Sequence, residues 1–235
     1  RQRVAPLSTG IGVLGVTGFT SYIGLIDIGQ LRPRDRVLVS GAAGGVGSSV
    51  AQIAKLSGAS RVVGIAGSRD KCELLTGRLG YDAAINYRDE DLDARIGELL
   101  PGGIDVFFDN VGGATLDAAL RHIRRHARIV LGGRISEYLG DEEQPYVLRH
   151  YQRLHRCCAS MRAFFIYEHE RDFPRAEAAM AQWIAEGRLQ SAEDILEGLE
   201  RMPEALIRLF TGGNRGKQLV RVVADAECHR ATGDG

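Results

Sequence analysis

Residues 37–51, Val-Leu-Val-Ser-Gly-Ala-Ala-Gly-Gly-Val-Gly-Ser-Ser-Val-Ala, decide the fold of this chain. An apolar run ends in three glycines spaced three apart, Gly41, Gly44 and Gly47, and a helical pattern follows at once. This order of strand, tight turn and helix brings backbone N–H groups to a helix N-terminus, where a dinucleotide pyrophosphate binds. Glycine is required because a Cβ would obstruct the turn, the phosphate or the packing of helix on strand. The stretch predicts a dinucleotide site, with a ligand-free glycine turn as the alternative.

Outward from this turn, predicted strands alternate with predicted helices. Strands joined through helices are parallel, and their crossovers are right-handed. The pattern therefore predicts the α/β class, with a doubly wound, parallel, six-stranded Rossmann sheet. Strands are predicted at 36–40, 61–66, 83–86, 104–109, 128–131 and 161–166, and helices at 17–28, 46–56, 70–79, 92–100, 116–123, 146–155 and 173–185.

The domain organisation follows from where this alternation stops. Residues 1–187 are predicted to form the dinucleotide-binding domain, including an N-terminal helix. Residues 188–223 come after the sheet should be complete and contain a possible strand at 189–196, a helix at 202–210 and a strand at 217–223. The polar tail, residues 224–235, is expected to be disordered.

The composition excludes several classes of protein. Hydrophobic residues make up 44% and charged residues 26% of the 235 residues, and the formal net charge is zero. A neutral chain lacks the basic surface of a nucleic-acid-binding protein. Residues 4–26 carry no charge, but glycines and hydroxyl residues interrupt them, so no membrane span is expected. Four cysteines are too few for a disulfide framework, and a cytoplasmic location is expected. The start at Arg1 suggests a piece of a longer protein.

The residues after the second predicted strand favour NADP(H) over NAD(H). The sequence there is Ala-Gly-Ser-Arg-Asp-Lys, residues 66–71, instead of an acidic residue placed to bind the ribose 2′-OH. Ser68 offers a hydroxyl, and Arg69 and Lys71 offer cations for a 2′-phosphate. Asp70 is expected to cap the following helix. A solvated helix start is the alternative.

Several stretches in order resemble one enzyme family. The chain resembles the zinc-independent medium-chain dehydrogenases and reductases, and within them the prostaglandin reductase and alkenal double-bond reductase branch. The resemblance covers about residues 10–223. The matching stretches are LGVTGFTSYIGLIDIG (14–29), VSGAAGGVGSSVAQIAKL (39–56), VVGIAGSRDK (62–71), INY (85–87), DVFFDNVGG (105–113), GGRISEY (132–138) and GGNRGKQLV (212–220).

The resemblance implies roles for individual residues. Asn110 and Tyr87 keep plain alternatives, a turn residue and an edge-strand aromatic. The implied cofactor contacts are Gly44, Gly45, Val46 and Gly47 at the pyrophosphate, Lys71 and Tyr87 at the 2′-phosphate and adenine ribose, Asn110 in the groove, Gly133, Ile135, Ser136 and Tyr138 beside the nicotinamide, Phe164, Phe165 and Ile166 at the adjacent strand end, and Asn214 and Lys217 in a late loop that closes over the nicotinamide side.

The implied activity is reduction of a carbon–carbon double bond conjugated to a carbonyl, with NADPH as hydride donor. A phenol near the nicotinamide would stabilise the enolate or donate a proton, and the candidates are Tyr138 and Tyr146. Tyr138 could equally contact the cofactor ribose. The alternatives are an NADPH quinone oxidoreductase and a non-catalytic NADP(H)-binding module.

Some features depart from the family pattern or predict further properties. Thr17, Gly132, Arg134 and Arg162 differ from the usual family residues, and the two arginines suggest an anionic or strongly polar substrate. The family's N-terminal GroES-like domain is absent, so residues 188–223 should expose apolar surface or find another partner. A homodimer is expected through the edge strand at 161–166, which could also make the chain a structural partner.

No metal site is expected: His122 and His126 are assigned to a solvated helix face and Cys157-Cys158 to buried packing.

Overall fold

The computed structural model describes residues 5–138 and 146–223. Six parallel strands form one sheet in the order β3-β2-β1-β4-β5-β6, which confirms the predicted doubly wound arrangement. The strands are β1 (Arg36–Val39), β2 (Arg61–Ala66), β3 (Ala83–Asn86), β4 (Ile104–Asp109), β5 (Ile123–Leu131) and β6 (Ser160–Ala163). The helices are α1 (Val16–Ile23), α2 (Gly47–Leu56), α3 (Arg69–Gly77), α4 (Leu92–Leu99), α5 (Gly113–Arg121), α6 (Gln152–Cys157), α7 (Phe173–Ala185) and α8 (Met202–Thr211).

The sheet is covered on both faces, as the continuous apolar strands predict. Val37 and Val39 of β1 face a core shared with α1, α2 and α7, whereas Leu38 faces a second core shared with α4 and α5. Every residue of β4 is buried, including Phe107 and Phe108 on its opposite faces. Burying a side chain of this size stabilises the fold by about 1.5–3 kcal/mol. Because all six strands are parallel, their carboxyl ends lie on the same side of this packed sheet.

Several predicted boundaries were wrong, among them the start of the fifth strand, which is Ile123 instead of residue 128. The first helix is α-helical only to Ile23 and continues as a π-helical turn, Gly24–Ile28. A Cβ on Gly24 would lie 2.7 Å from Cε2 of Phe108, so glycine allows this turn to approach the sheet. The sixth strand ends at Ala163, and Ile166 begins a 3₁₀ helix instead.

The predicted helix at 146–155 begins only at Gln152. Asp117 of α5 holds the preceding segment in an irregular conformation by accepting hydrogen bonds from the Arg149 and His150 amides, at 2.8 and 2.9 Å. The His150 ring nitrogen Nδ1 lies 3.0 Å from the same carboxylate. Together these bonds lower the pKa of Asp117 below its ordinary value, although its burial acts in the opposite direction.

The predicted helical pair His122 and His126 was also wrong. Helix α5 ends at Arg121, so His122 caps it and His126 lies in β5 with a φ of +62°. The neighbouring cysteines differ from each other: Cys157 is buried, whereas Cys158 is exposed in a left-handed conformation. In residues 5–138 and 146–223, no three His, Cys, Asp or Glu side chains are grouped so that they could hold a metal ion. Likewise, none of the described helices is long and apolar enough to cross a membrane.

The elements after α7 form a small unit of their own. Strands β7 (Glu193–Glu197) and β8 (Lys217–Arg221) pair in parallel and are joined through α8. The amide of Gly216 donates to the carbonyl of Ala43 at 2.7 Å, so this unit contacts the turn after β1. One face of α8 exposes large apolar side chains, namely Met202, Leu206, Ile207, Leu209 and Phe210. The proposed division at residue 187 stays a prediction, and the tail from 224 lies outside the described residues.

Candidate cofactor site

The glycine turn, residues 41–47, is tight because its backbone folds back on itself. Gly41 follows β1 with a φ of +57°, and the amide of Gly44 donates to the Gly41 carbonyl at 3.0 Å. A Cβ on Gly47 would lie 2.5 Å from that carbonyl oxygen and 2.6 Å from Cα of Ala42. Position 47 therefore accepts only glycine, and α2 starts directly against the end of β1.

The N-terminus of α2 is open for an anion. No side chain caps this helix, and no acidic residue lies in its first turn. By contrast, Ser68 caps α3 by accepting from the Lys71 amide, and Asp91 caps α4 by accepting from the Ala94 amide. The Ser48 and Ser49 amides donate to the Gly44 and Val46 carbonyls at 2.9 and 3.1 Å, so this end offers an anion the turn amides before Ser48 and the positive potential of the helix dipole. The residues predicted for pyrophosphate, Gly44 to Gly47, thus form a site with the required polarity.

The residues after β2 form the next part of the groove. Tyr87, which is half exposed, lies over the backbone of Gly67: a Cβ on this glycine would lie 2.9 Å from Cε1 of the ring. Ser68 rather than Asp70 caps α3, so the predicted role of Asp70 was wrong. Asp70 instead pairs with Arg215, with Oδ2 at 2.6 Å from the guanidinium.

Lys71 lies in a group of cations that we call the cationic cluster: Lys71, Arg88, Arg208 and Arg215. Its ammonium donates to the carbonyl of Gly212 at 2.8 Å. Burial lowers the pKa of Lys71, and repulsion from Arg88, Arg215 and Arg208 lowers it further, opposed by Asp194. A lysine held among cations is a suitable partner for a phosphate group.

A buried hydrogen-bond network joins the ends of β1 and β4, the neighbouring strands between which the strand order reverses. Ser40 Oγ donates to Asp109 Oδ1 at 2.5 Å and accepts from the Asn110 amide at 2.8 Å. The side-chain amide of Asn110 donates to the Ser40 carbonyl, also at 2.8 Å. Burial raises the pKa of Asp109, against the effect of its hydrogen bonds from Ser40, Val111 and Gly112. Asn110 is therefore held rigidly where the strand order reverses and ligands bind.

The segment after β5 lies beside this network. The amide of Gly133 donates to the Asp109 carbonyl at 3.2 Å, that of Ile135 to the Asn110 carbonyl at 3.3 Å, and Ser136 Oγ to the Val111 carbonyl at 2.6 Å. The structure thus brings the predicted residues Gly133, Ile135 and Ser136 to Asn110, at the ends of adjacent strands.

The two candidate tyrosines lie at different places on this edge. Tyr138 is about half exposed, and its hydroxyl would lie 3.7 Å from a Cβ on Gly133. The guanidinium of Arg134 lies over its ring at 5.9 Å. Tyr146 is also partly exposed, and its Cγ would lie 3.9 Å from a Cβ on Gly113, at the start of α5. Tyr138 thus lies closer to the strand ends.

The three residues predicted beside the nicotinamide at the end of the sixth strand, Phe164, Phe165 and Ile166, differ in burial. Phe164 packs into the core, and its Cζ would lie 2.8 Å from a Cβ on Gly24. Ile166 is buried in the same core. Phe165 is exposed and packs its ring against Tyr167, with centroids 5.3 Å apart. The side chains of Phe164 and Ile166 therefore serve packing, and Phe165 alone exposes its ring.

The late loop, residues 212–217, returns to the glycine turn. Asn214 is buried and donates from Nδ2 to the Gly216 carbonyl at 2.8 Å. A Cβ on Gly45 would lie 3.3 Å from both Cδ of Lys217 and Cγ2 of Thr17. The structure therefore brings Lys217 beside Gly45 and the loop that contains Asn214 to the glycine turn. That this loop closes over the nicotinamide side, as the resemblance implied, stays a prediction.

Sequence reasoning missed several residues of this groove. Ser40 and Asp109 are buried polar residues at strand ends, and that pattern could have indicated them. Arg88, Arg208 and Arg215 come from three separate stretches, and no local pattern connects them. Their proximity is visible only in the folded chain.

A doubly wound parallel sheet with a glycine turn after its first strand defines a Rossmann-type domain. The chain belongs to the zinc-binding dehydrogenase family, whose sequence profile matches residues 45–183. This membership confirms the family relationship that the resemblance predicted.

Individual relatives extend this similarity over more of the chain. Over 223 residues the chain is 38% identical to (+)-pulegone reductase of Mentha piperita, covering 94% of this chain and 64% of that protein. It is also 38% identical to the NADP(+)-dependent 2-alkenal reductase of Nicotiana tabacum, covering 92% of this chain and 63% of that protein. The crystal structure of CurA from Vibrio vulnificus in complex with NADPH superposes with a TM-score of 0.87 at 37% identity, covering 92% of this chain and 65% of that one. The chain thus spans somewhat less than two thirds of these proteins.

Proposed function

We propose that this chain binds NADP(H) and acts in an NADPH-dependent reductase of carbon–carbon double bonds in α,β-unsaturated ketones and aldehydes. One observation carries the proposal: the uncapped N-terminus of α2 and the cationic cluster lie along the same edge of the sheet. The names of the relatives support it, since they include an NADP(+)-dependent alkenal reductase and a pulegone reductase.

The described residues fit this cofactor along its whole length. The close approach of Gly47 to Gly41 starts α2 directly at the glycine turn, whose backbone would meet the pyrophosphate. Lys71 and the hydroxyl of Ser68 would hold the 2′-phosphate, and Tyr87 would cover the adenine ribose. Asn110 and the segment from Gly133 to Ser136 would hold the nicotinamide end, because they meet where the strand order reverses.

The chemistry requires little from the protein beyond orientation and electrostatics. When bound, the nicotinamide supplies the hydride. The protein must then stabilise the negative charge that develops on the carbonyl oxygen, and a phenol is a suitable donor. We assign this role to Tyr138, whose hydroxyl lies near Gly133 and whose ring carries the Arg134 guanidinium. Tyr146 is the second candidate, from the start of α5.

Two alternative functions use the same cofactor groove. An NADPH quinone oxidoreductase would reduce quinones faster than enones with the same residues. A non-catalytic NADP(H)-binding module would bind cofactor without turnover, and its distinguishing result is tight NADPH binding with no oxidation by either substrate. We favour the double-bond reductase because the more similar relatives carry that activity in their names.

We also propose a homodimer, formed through the sheet edge. All four residues of β6 are exposed, and an exposed parallel edge strand offers unpaired N–H and C=O groups. Size-exclusion chromatography with light scattering tests this, and a monomer at every concentration would contradict it. We further propose that the apolar face of α8 packs on a GroES-like domain in the complete enzyme. The proposed location of the enzyme is the cytoplasm.

Calorimetric titration of the chain with NADPH and NADH tests the cofactor assignment. We expect NADPH to bind at least about tenfold more tightly, a difference of ~1.4 kcal/mol, and Lys71→Ala to remove this preference. Arg221→Ala is the matched control, because Arg221 is an exposed cation paired with Glu197 at the far end of β8. Equal binding of the two nucleotides would contradict the proposal. Oxidation of NADPH with an alkenal, an enone and a quinone then separates the three functions.

A further inference from the structure

The late loop spans the groove from its ribose end to its pyrophosphate end. At one end, the Gly212 carbonyl accepts from the Lys71 ammonium at 2.8 Å. At the other end, the Gly216 amide donates to the Ala43 carbonyl at 2.7 Å. Arg215 lies between these two contacts, so its side chain starts from the middle of the loop that crosses the groove.

The backbone of Arg215 is held firmly, whereas its side chain is held weakly. The Arg215 amide donates at 2.9 Å to Asp194, which also pairs with Arg208 at 2.7 Å in a largely buried arrangement. Among the residues that the structure describes, the Arg215 guanidinium pairs only with Asp70, at 2.6 Å, and both side chains are more than half exposed. An exposed ion pair of this kind stabilises a protein very little, so its partners exchange readily.

Asp70 lies next to Lys71 in the first turn of α3, so the Arg215 guanidinium already lies beside the residues that would hold a 2′-phosphate. A phosphate dianion offers a guanidinium more charge than a carboxylate and can accept two parallel hydrogen bonds. Lys71 meanwhile bonds a neutral carbonyl, and its pKa is lowered first by burial and then by the cations around it, Arg215 among them. The cluster therefore has positive charge that a dianion would neutralise.

We propose that Arg215 determines specificity for NADP(H): its guanidinium exchanges Asp70 for the 2′-phosphate and thereby holds the late loop over the bound cofactor. This inference rests on the proposed NADP(H) function. It assigns Asp70 the role of occupying Arg215 until the cofactor arrives. Binding of the 2′-phosphate is then coupled to closure of the late loop, which contains Asn214.

The test compares adenosine 2′,5′-bisphosphate, 5′-AMP, NADPH and NADH on the full chain by calorimetry. Arg215→Ala is expected to weaken the two ligands that carry a 2′-phosphate by about tenfold or more and to change NADH and 5′-AMP by less than about twofold. Arg215→Lys keeps the charge and should retain part of the affinity. Arg221→Ala is the control, with wild-type affinities. Equal weakening of all four ligands would show a merely structural role and overturn the inference.

The Asp70→Asn variant tests the exchange itself. Removing the carboxylate frees Arg215, so affinity for adenosine 2′,5′-bisphosphate should stay the same or rise. A fall of about threefold or more would mean that Arg215 acts only through Asp70, which would refute the exchange. Hydrogen exchange of the loop amides supplies a second readout: the bisphosphate should slow it in wild type but not in Arg215→Ala.

The two proposals fail in different ways. If wild type shows no preference for ligands with a 2′-phosphate, the NADP(H) assignment falls, and this inference falls with it. If wild type shows the preference and Arg215→Ala keeps it in full, the NADP(H) assignment stands and the role of Arg215 is refuted.

Discussion

Gly216 pairs with Gly44 in a parallel bridge, in which the Gly216 amide donates to the Ala43 carbonyl at 2.7 Å. This contact joins the residue before β8 to the glycine turn after β1. The buried Asn214 belongs to the same connection, since its side chain donates to the Gly216 carbonyl. The glycine turn is therefore supported by residues more than 160 positions away in sequence.

Replacing Gly216 by alanine should disturb this connection. Gly216 has a φ of +85°, and a Cβ there would lie 2.2 Å from the Ala192 carbonyl oxygen. We expect Gly216→Ala to lower the free energy of unfolding by more than the ~1–2 kcal/mol of left-handed strain alone and to weaken NADPH binding. Chemical denaturation and calorimetry measure the two effects.

Gly187→Ala is the matched control for this substitution. Gly187 has a similar φ of +68°, but a Cβ there would meet nothing within 4 Å. It should show the strain alone, with unchanged NADPH affinity. Equal losses of stability and affinity in the two variants would mean that the contact with Ala192 has no part in the cofactor site.

The close approach at Gly47 leads to a second prediction. A Cβ there would lie 2.5 Å from the Gly41 carbonyl oxygen and must displace the start of α2. Gly47→Ala should therefore lower NADPH affinity by about a hundredfold, ~2.7 kcal/mol, because the amides of the helix N-terminus move away from the pyrophosphate. Gly77→Ala at the end of α3, where a Cβ meets nothing, should instead leave NADPH affinity unchanged. Unchanged affinity in Gly47→Ala would contradict the assignment of the turn.

The lowered pKa of Lys71 predicts a pH dependence of cofactor binding. Only the charged ammonium attracts a phosphate, so affinity falls as pH rises through the pKa of Lys71. Burial and neighbouring cations place that pKa below the ordinary value of about 10.4, so the fall should begin at a lower pH than for an exposed lysine. Titrations with adenosine 2′,5′-bisphosphate between about pH 7 and pH 10 measure it.

The matched variant for this pH dependence is Lys71→Arg, which stays charged throughout the range. Its affinity should decline less steeply with pH than that of wild type. 5′-AMP, which lacks the 2′-phosphate, should show no such decline in either protein. Parallel pH profiles for wild type and Lys71→Arg would assign the titration to another group.

The hydrogen-bond network between the ends of β1 and β4 predicts that removing the Ser40 hydroxyl lowers the free energy of unfolding. Ser40→Ala leaves the Asn110 amide without its acceptor and removes one of the donors to Asp109, in a buried position. We expect a loss of about 1–3 kcal/mol in the free energy of unfolding. Ser60→Ala removes a comparable hydroxyl, bonded to the Arg34 carbonyl at the surface, and should cost less than ~0.5 kcal/mol. Similar losses in both variants would mean that the network is not specifically stabilising.

Local sequence patterns predicted most of the sheet but misplaced some ends. The β4 run Ile104–Asp109 and the α7 pattern Phe173–Ala185 appear with the predicted bounds, because burial on both faces or on one stripe leaves a clear periodicity. The helix expected from 146 failed because Asp117, a residue of another helix, binds the amides of Arg149 and His150. Such a long-range acceptor leaves no mark on the local pattern.

The candidate site divides in the same way. The sequence by itself determined the strand–glycine turn–helix unit, since only glycine fits at Gly47 and the apolar periods on both sides require a strand and a helix. It also determined that cations follow the second strand. Only the tertiary structure decided that Arg88, Arg208 and Arg215 gather around Lys71 and that Gly216 meets Gly44. The physical reason is that backbone conformation responds to neighbours along the chain, whereas electrostatic and hydrogen-bond partners are set by the packing of distant elements.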